Sequence, residues 1–140
     1  SLAEKLDRVN FCLQRVNLVN VNKLFPSEIS GGMKKRVAIA RAISMNPKYL
    51  FCDEPNSGLD PKTSIVIDDL IKEITSEFQT TTVVNTHDMN SLTEMGEKIV
   101  FIFKGRKWWE GSYDEIVHSD NQELNDFVFA TRIMKQMKAK

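Results

Sequence analysis

Ser30-Gly31-Gly32-Met33-Lys34-Lys35-Arg36, followed by Tyr49-Leu50-Phe51-Cys52-Asp53-Glu54, decides how this chain is read. Ser30 can cap a helix whose first N–H groups lack intrahelical partners. Gly31 and Gly32 carry no Cβ, so an anion could come close to their backbone. A helix N-terminus adds partial positive charge there, and Lys34, Lys35 and Arg36 add full charges. Alone, this is equally the pattern of an ordinary capped helix with a solvated basic first turn.

The second stretch narrows the choice. Tyr49 to Cys52 is a short apolar run, as expected of a strand buried on both faces. Asp53 and Glu54 follow at its carboxyl end, where open α/β sheets place ligands. Two adjacent carboxylates repel unless a cation or a proton is shared. A Mg²⁺ near Asp53 and a water near Glu54 would relieve that, with one carboxylate for the metal and one as general base.

Taken together, these residues resemble the ABC-type ATPases. Ser30-Gly31-Gly32-Met33 with Lys35-Arg36 resembles their signature motif. Leu50-Phe51-Cys52-Asp53-Glu54-Pro55 resembles the Walker B strand and catalytic glutamate, Ser57-Gly58-Leu59-Asp60-Pro61 the D-loop, and Thr86-His87-Asp88 the switch-histidine loop. The resemblance covers roughly residues 20 to 118. It implies an α/β fold: a partial P-loop NTPase (RecA-like) core of parallel strands and flanking helices, with part of the ABC helical subdomain. Residues 1–46 would be the helical-subdomain portion, 47–118 the Walker B to switch-histidine core with a hairpin, and 119–140 a C-terminal helix.

Composition sets outer bounds. The chain has 140 residues, one domain's worth or less, with 19 Lys plus Arg against 19 Asp plus Glu. That balance gives no reason to expect a nucleic-acid partner. Two cysteines, Cys12 and Cys52, make neither a disulfide framework nor a metal cluster. Cys52, inside the strand, reads as a small hydrophobe. No apolar run approaches the roughly 18 residues of a membrane span, and no signal peptide is visible.

In chain order, Leu2, Leu6, Val9, Leu13 and Val16 mark one face of an amphipathic helix, read as a packing face. The Asn-rich Asn17–Lys23 stretch reads as a turn. Val37, Ile39, Ala40 and Ile43 support a core helix stopped by Asn46-Pro47. Asp60-Pro61 reads as an N-cap followed by proline in the first turn. Ile67, Leu70, Ile71, Ile74 and Phe78 mark the buried face of the next helix. Thr80 to Asn85 is β-branched and reads as a parallel strand, with His87 just past its end and Asp88 placed to cap another helix. Ile99–Phe103 is a third apolar strand, and Lys104-Gly105 turns it into a hairpin with Arg106 to Glu110. Trp108 and Trp109 would then point to opposite faces. Ser112-Tyr113-Asp114-Glu115 is a capping box. Leu124, Phe127, Val128, Thr131 and Met134 outline a last amphipathic helix with a basic end at Lys135, Lys138 and Lys140.

No Gly-x-x-x-x-Gly-Lys-Ser/Thr occurs in the sequence. That phosphate loop would hold the nucleotide and a Mg²⁺-binding hydroxyl. The chain is therefore expected to be the C-terminal part of a longer subunit, probed alone as an inactive piece. A sheet lacking its first strands should expose an edge or an apolar patch.

For the complete protein the resemblance implies two domains closing head to tail over two ATP molecules. Ser30, Gly31, Gly32 and Met33 would touch the nucleotide of the other subunit. Glu54 would polarise the attacking water, Asp53 would support Mg²⁺ through water, and His87 would sense the γ-phosphate. Ser57, Gly58, Leu59 and Asp60 would shape the dimer interface. ATP and Mg²⁺ are the implied cofactors, and a second ATPase subunit and transmembrane permease subunits the partners. The implied location is the cytoplasmic face of a membrane. Met33 stands where the family commonly has glutamine, and with the basic residues that follow is similar to the ATPases of MCE-type (Mla-like) phospholipid transporters. Two other classes are weighed beside transport: a soluble ABC-type ATPase of DNA repair or translation, and a non-catalytic interaction fragment.

Overall fold

The computed structural model describes residues 1–130. Two compact units form, Ser1–His87 and a second that begins at Asp88.

In the first unit, helix α1 (Leu2–Arg15) starts from a capping box of Ser1 and Glu4. Helix α2 (Gly31–Ile43) starts at Ser30, whose hydroxyl accepts from Met33 N–H, and buries Ile39, Ala40 and Ile43. Strand β1 (Tyr49–Asp53) runs parallel to β2 (Thr81–Asn85), in a register that sets Phe51 beside Val83 and Asp53 beside Asn85. Between them α3 (Pro61–Phe78) is capped by Asp60, has proline in its first turn, and buries Ile67, Leu70, Ile71 and Ile74. Each such side chain contributes about 1.5–3 kcal/mol by leaving water. Thr75 Oγ1 lies 2.6 Å from Thr82 Oγ1, so α3 covers the inward face of the strand pair.

Two expectations change here. The stripe of α1 that packs is not the expected one. Leu2, Leu6 and Val9 are exposed, and of the expected face only Val16 is fully buried. The helix instead buries Cys12 and half-buries Arg8, with Phe11 at the rim. Arg8 donates from Nε to Ser44 O and from its terminal nitrogen to Ile43 O, both at 2.8 Å. Phe11 meets Phe78 edge-on at 6.3 Å between centroids. Cys12 is buried. Anchoring at that end leaves the first turns of α1 uncovered.

The second change concerns β1, which is covered on one face. Leu50 is buried, whereas Tyr49 is 63 % and Phe51 74 % exposed. Strand period places those two with Val83 on the uncovered side of a sheet that has only two strands among the described residues. Cys52, on the covered side, is half-buried, and burial pushes its thiol pKa up.

In the second unit, α4 (Met89–Met95), capped by Asp88, precedes the antiparallel hairpin of β3 (Ile99–Phe103) and β4 (Arg106–Gly111). Lys104 and Gly105 both have positive φ, 47° and 72°, the requirement of a two-residue hairpin turn that matches strand twist. A bulge at Trp108 shifts the register between Phe101 and Ile102. Trp109 packs against the core of Ile99, Ile116, Leu124, Val128 and Phe129. Trp108 is partly exposed, lies edge-on to Phe103 and donates to Glu123 at 3.3 Å. Helix α5 (Tyr113–Val117) carries the expected capping box of Ser112 and Glu115. Helix α6 (Gln122–Val128) buries Leu124 and Val128. Thr131, Met134 and the lysines at 135, 138 and 140 lie outside the described residues.

Candidate functional site

Adjacent parallel strands bring β1 and β2 to a common end. Asp53 Oδ1 there accepts from Asn85 Nδ2 at 2.6 Å. Glu54 N–H donates to Asn85 O at 2.8 Å, so the sheet ladder continues one residue past β1. Glu54 itself has φ 46°, in the left-handed region that a non-glycine residue occupies at a cost. Its carboxylate Oε1 then lies 2.8 Å from His87 Nδ1. A carboxylate accepts only, so Nδ1 carries the proton of that bond, and in the neutral ring Nε2 is an acceptor. Glu54 is partly covered, while the His87 ring is mostly exposed.

The first turn of α2 lies against the loop after β1 and the start of α3. A Cβ on Gly31 would stand 3.7 Å from Leu59 Cδ2, and one on Gly32 only 2.8 Å from Thr63 Cγ2. Gly32 is buried, so its missing side chain lets two helices approach and does not open backbone to solvent. Gly31 and Ser30 are exposed. Thr63 is fixed in turn by Asp60, which accepts from both its N–H and its hydroxyl. Those bonds, the hydroxyl's first, lower the Asp60 pKa.

The basic residues after Met33 do not form one open cationic cradle. Lys35 Nζ donates to Glu54 O at 3.1 Å. Arg36 donates to Asn17 O at 3.2 Å. Lys34 is exposed. Among the described residues, no three His, Cys, Asp or Glu side chains gather as a metal cluster.

The sequence profile of the ABC transporter family matches residues 3–57. The methionine import ATP-binding protein MetN of Campylobacter jejuni is 40 % identical over 125 residues, covering 89 % of this chain and 37 % of that protein. The glutamine transport ATP-binding protein GlnQ of Geobacillus stearothermophilus is 37 % identical over 131 residues, covering 94 % of this chain and 53 % of that one. The ATP-binding cassette MJ0796, solved as a dimer in a post-hydrolysis state with ADP and phosphate, superposes with a TM-score of 0.69 at 36 % identity. That match covers 80 % of this chain and 48 % of the cassette.

This chain belongs to the ABC-type ATP-binding domains.

It spans about a third to a half of the length of these relatives. The two curated relatives are named for methionine import and glutamine transport, and the likeness to phospholipid transporters drawn from Met33 has no counterpart in those names. Of the ABC residues expected from sequence, the structure brings Asp53, Glu54 and His87 together at one strand end. It sets Gly31 and Gly32 on Leu59 and Thr63. Ser57 N–H donates to Glu54 O at 3.2 Å, closing the loop, and Gly58 takes φ 78°.

Sequence reasoning missed Asn85, Thr63, the contact of Lys35 with Glu54, and the buried pair Asn56 and Asp68, joined at 2.6 Å from Asn56 Nδ2 to Asp68 Oδ1. Asn85 was within reach: it ends β2 in register with Asp53. Asp68 also left a trace, as an acid next to Ile67 on a helix whose buried face is mostly aliphatic.

Proposed function

We propose that this chain supplies the signature, Walker B, D-loop and switch-histidine parts of an ATP-hydrolysing subunit that powers an ABC-type importer. The observation that carries the reading is the 2.8 Å approach of His87 Nδ1 to Glu54 Oε1 beyond the ends of two parallel strands. Glu54 would polarise the attacking water. In the imidazolium form, where both ring nitrogens donate, His87 would bond Glu54 through Nδ1 and the γ-phosphate through Nε2. Positioning and charge stabilisation supply most of the catalysis in phosphoryl transfer.

Asp53 fits a Mg²⁺ held largely by water and phosphate. It is a hard oxygen donor oriented by Asn85, and Mg²⁺ commonly takes one or two carboxylates with substrate phosphates. Bound there, the ion would neutralise charge developing on the phosphates. Ser30, Gly31 and Met33, at the exposed start of α2, would meet a nucleotide held by a second subunit. Ser57 to Asp60 would line the same dimer interface. The dimeric state of the MJ0796 cassette supports that arrangement.

The cargo class we favour is an amino acid, from the methionine and glutamine named for the relatives. Transmembrane permease subunits would be the partners, with this chain on the cytoplasmic face. No helix among the described residues is long and apolar enough to cross a membrane. The test is Glu54→Gln in the subunit that carries these residues together with a phosphate loop. ATP binding should persist, and turnover should fall about 10²–10⁴-fold, the usual contribution of a general base. Unimpaired turnover would remove Glu54 from the reaction.

A further inference from the structure

We propose that Lys35 is a positioning residue for Glu54, holding the main-chain carbonyl of the residue whose carboxylate faces His87. The inference rests on the role given to Glu54 above. Three contacts fix the Glu54 peptide. Its N–H donates to Asn85 O at 2.8 Å, and its carbonyl accepts from Ser57 N–H at 3.2 Å and from Lys35 Nζ at 3.1 Å. The first two belong to the sheet and to the loop that follows it. Lys35 alone arrives from another element, the first turns of α2.

Such a contact matters because Glu54 sits at φ 46°. A left-handed glutamate needs surroundings that over-determine it, since the same residue relaxes readily to negative φ. Relaxation would swing the carboxylate away from His87. A hydrogen bond from an ammonium to a carbonyl is charge-assisted and stronger than a neutral one. The contact is also part-buried, which limits competition from water. The helix that bears the signature residues thereby sets the alignment of Glu54 within the same subunit.

The experiment pairs Lys35→Met, which keeps the stem and removes the donor, with Lys35→Arg, which keeps a donor. Turnover is measured in the subunit that carries the phosphate loop. The ¹⁵N resonance of the His87 Nδ1 is followed in parallel on the same subunit, assigned by its absence in His87→Ala. Lys35→Met should lower kcat about 10- to 100-fold with KM for ATP unchanged, the scale of a misplaced reacting group. It should also move the Nδ1 resonance toward that of a solvated ring, and Lys35→Arg should restore both. Lys35→Leu, which carries no donor, serves as the second neutral variant and should behave as Lys35→Met does. An unmoved Nδ1 resonance in the neutral variants overturns the proposal. So does a loss confined to KM. Full turnover in Glu54→Gln would instead overturn the function proposed for Glu54, and the Nδ1 resonance would still judge whether Lys35 positions it.

Discussion

His87 Nδ1 and Glu54 Oε1 lie 2.8 Å apart, although the two residues are 33 positions apart in sequence. The pairing exists because β1 and β2 are neighbours and each chain segment leaves the sheet at the same end. His87→Ala should cut ATP turnover by about 10²-fold in the phosphate-loop-bearing subunit, the lower end of what a positioned proton-carrying group supplies. Its ring is mostly exposed, so unfolding free energy should change by less than about 0.5 kcal/mol. Phosphate release and urea denaturation on the same variant check both halves.

Gly32 and Gly31 should respond differently to alanine. At Gly32 a new Cβ meets Thr63 Cγ2 at 2.8 Å, closer than real contacts allow, and overpacking of this kind costs about 1–3 kcal/mol. At Gly31 the nearest atom is 3.7 Å away, an ordinary contact. Urea midpoints should fall for Gly32→Ala and hold for Gly31→Ala. Adding Thr63→Ser, which keeps the hydroxyl for Asp60 and removes the methyl, should recover the loss.

Acid should weaken the fold in a definable window. The Asp60 carboxylate is held down by the hydroxyl and N–H of Thr63, Glu115 by the N–H and hydroxyl of Ser112, and Glu110 by Lys107 and then Lys98. Each folded pKa lies below its unfolded value. The stability each adds is therefore complete above the ordinary carboxylate range and is lost as pH falls through the lowered value. Melting temperatures should be level above about pH 5 and decline below it. Asp60→Asn, which still caps α3 but does not titrate, should show a shallower acid decline than the parent chain.

The uncovered face of β1 and β2 should make the chain associate with itself. Tyr49, Phe51 and Val83 are 63, 74 and 49 % exposed side by side. Contiguous apolar surface of this kind favours association. Light scattering should show mass rising with concentration, and Phe51→Thr should reduce the slope. A monomer at every concentration in the parent chain would count against this.

Much of the fold was legible because its signals are local. Ser30, Asp60-Pro61 and Ser112 with Glu115 cap helices within three residues of themselves. Lys104-Gly105 turns a hairpin through its own backbone. The order of Asp53, Glu54 and His87 at strand ends followed from apolar runs and what succeeds them. The stripe of α1 was not legible in the same way. Leu2, Leu6 and Val9 keep helical spacing, but so do Arg8, Cys12 and Val16, and only tertiary contact chooses between them. The apolar run at β1 likewise says that both faces could be buried, not that both are. Gly32 was read as room for an anion because sequence cannot show Thr63 filling that space.

Arg8 and Lys35 both grip carbonyl oxygens, of Ile43, Ser44 and Glu54. Every amino acid offers a carbonyl. Positions 43, 44 and 54 can therefore drift over evolutionary time without breaking either clasp, provided the backbone keeps its path. Pairwise covariation between homologues would be silent at position 35, where the constraint would register only as persistence of a long cation, whereas Arg8 also reaches the side-chain oxygen of Asn46 and could covary with it. A contact map inferred from coevolution would miss Lys35, the side chain that ties the first turns of α2 to the end of β1.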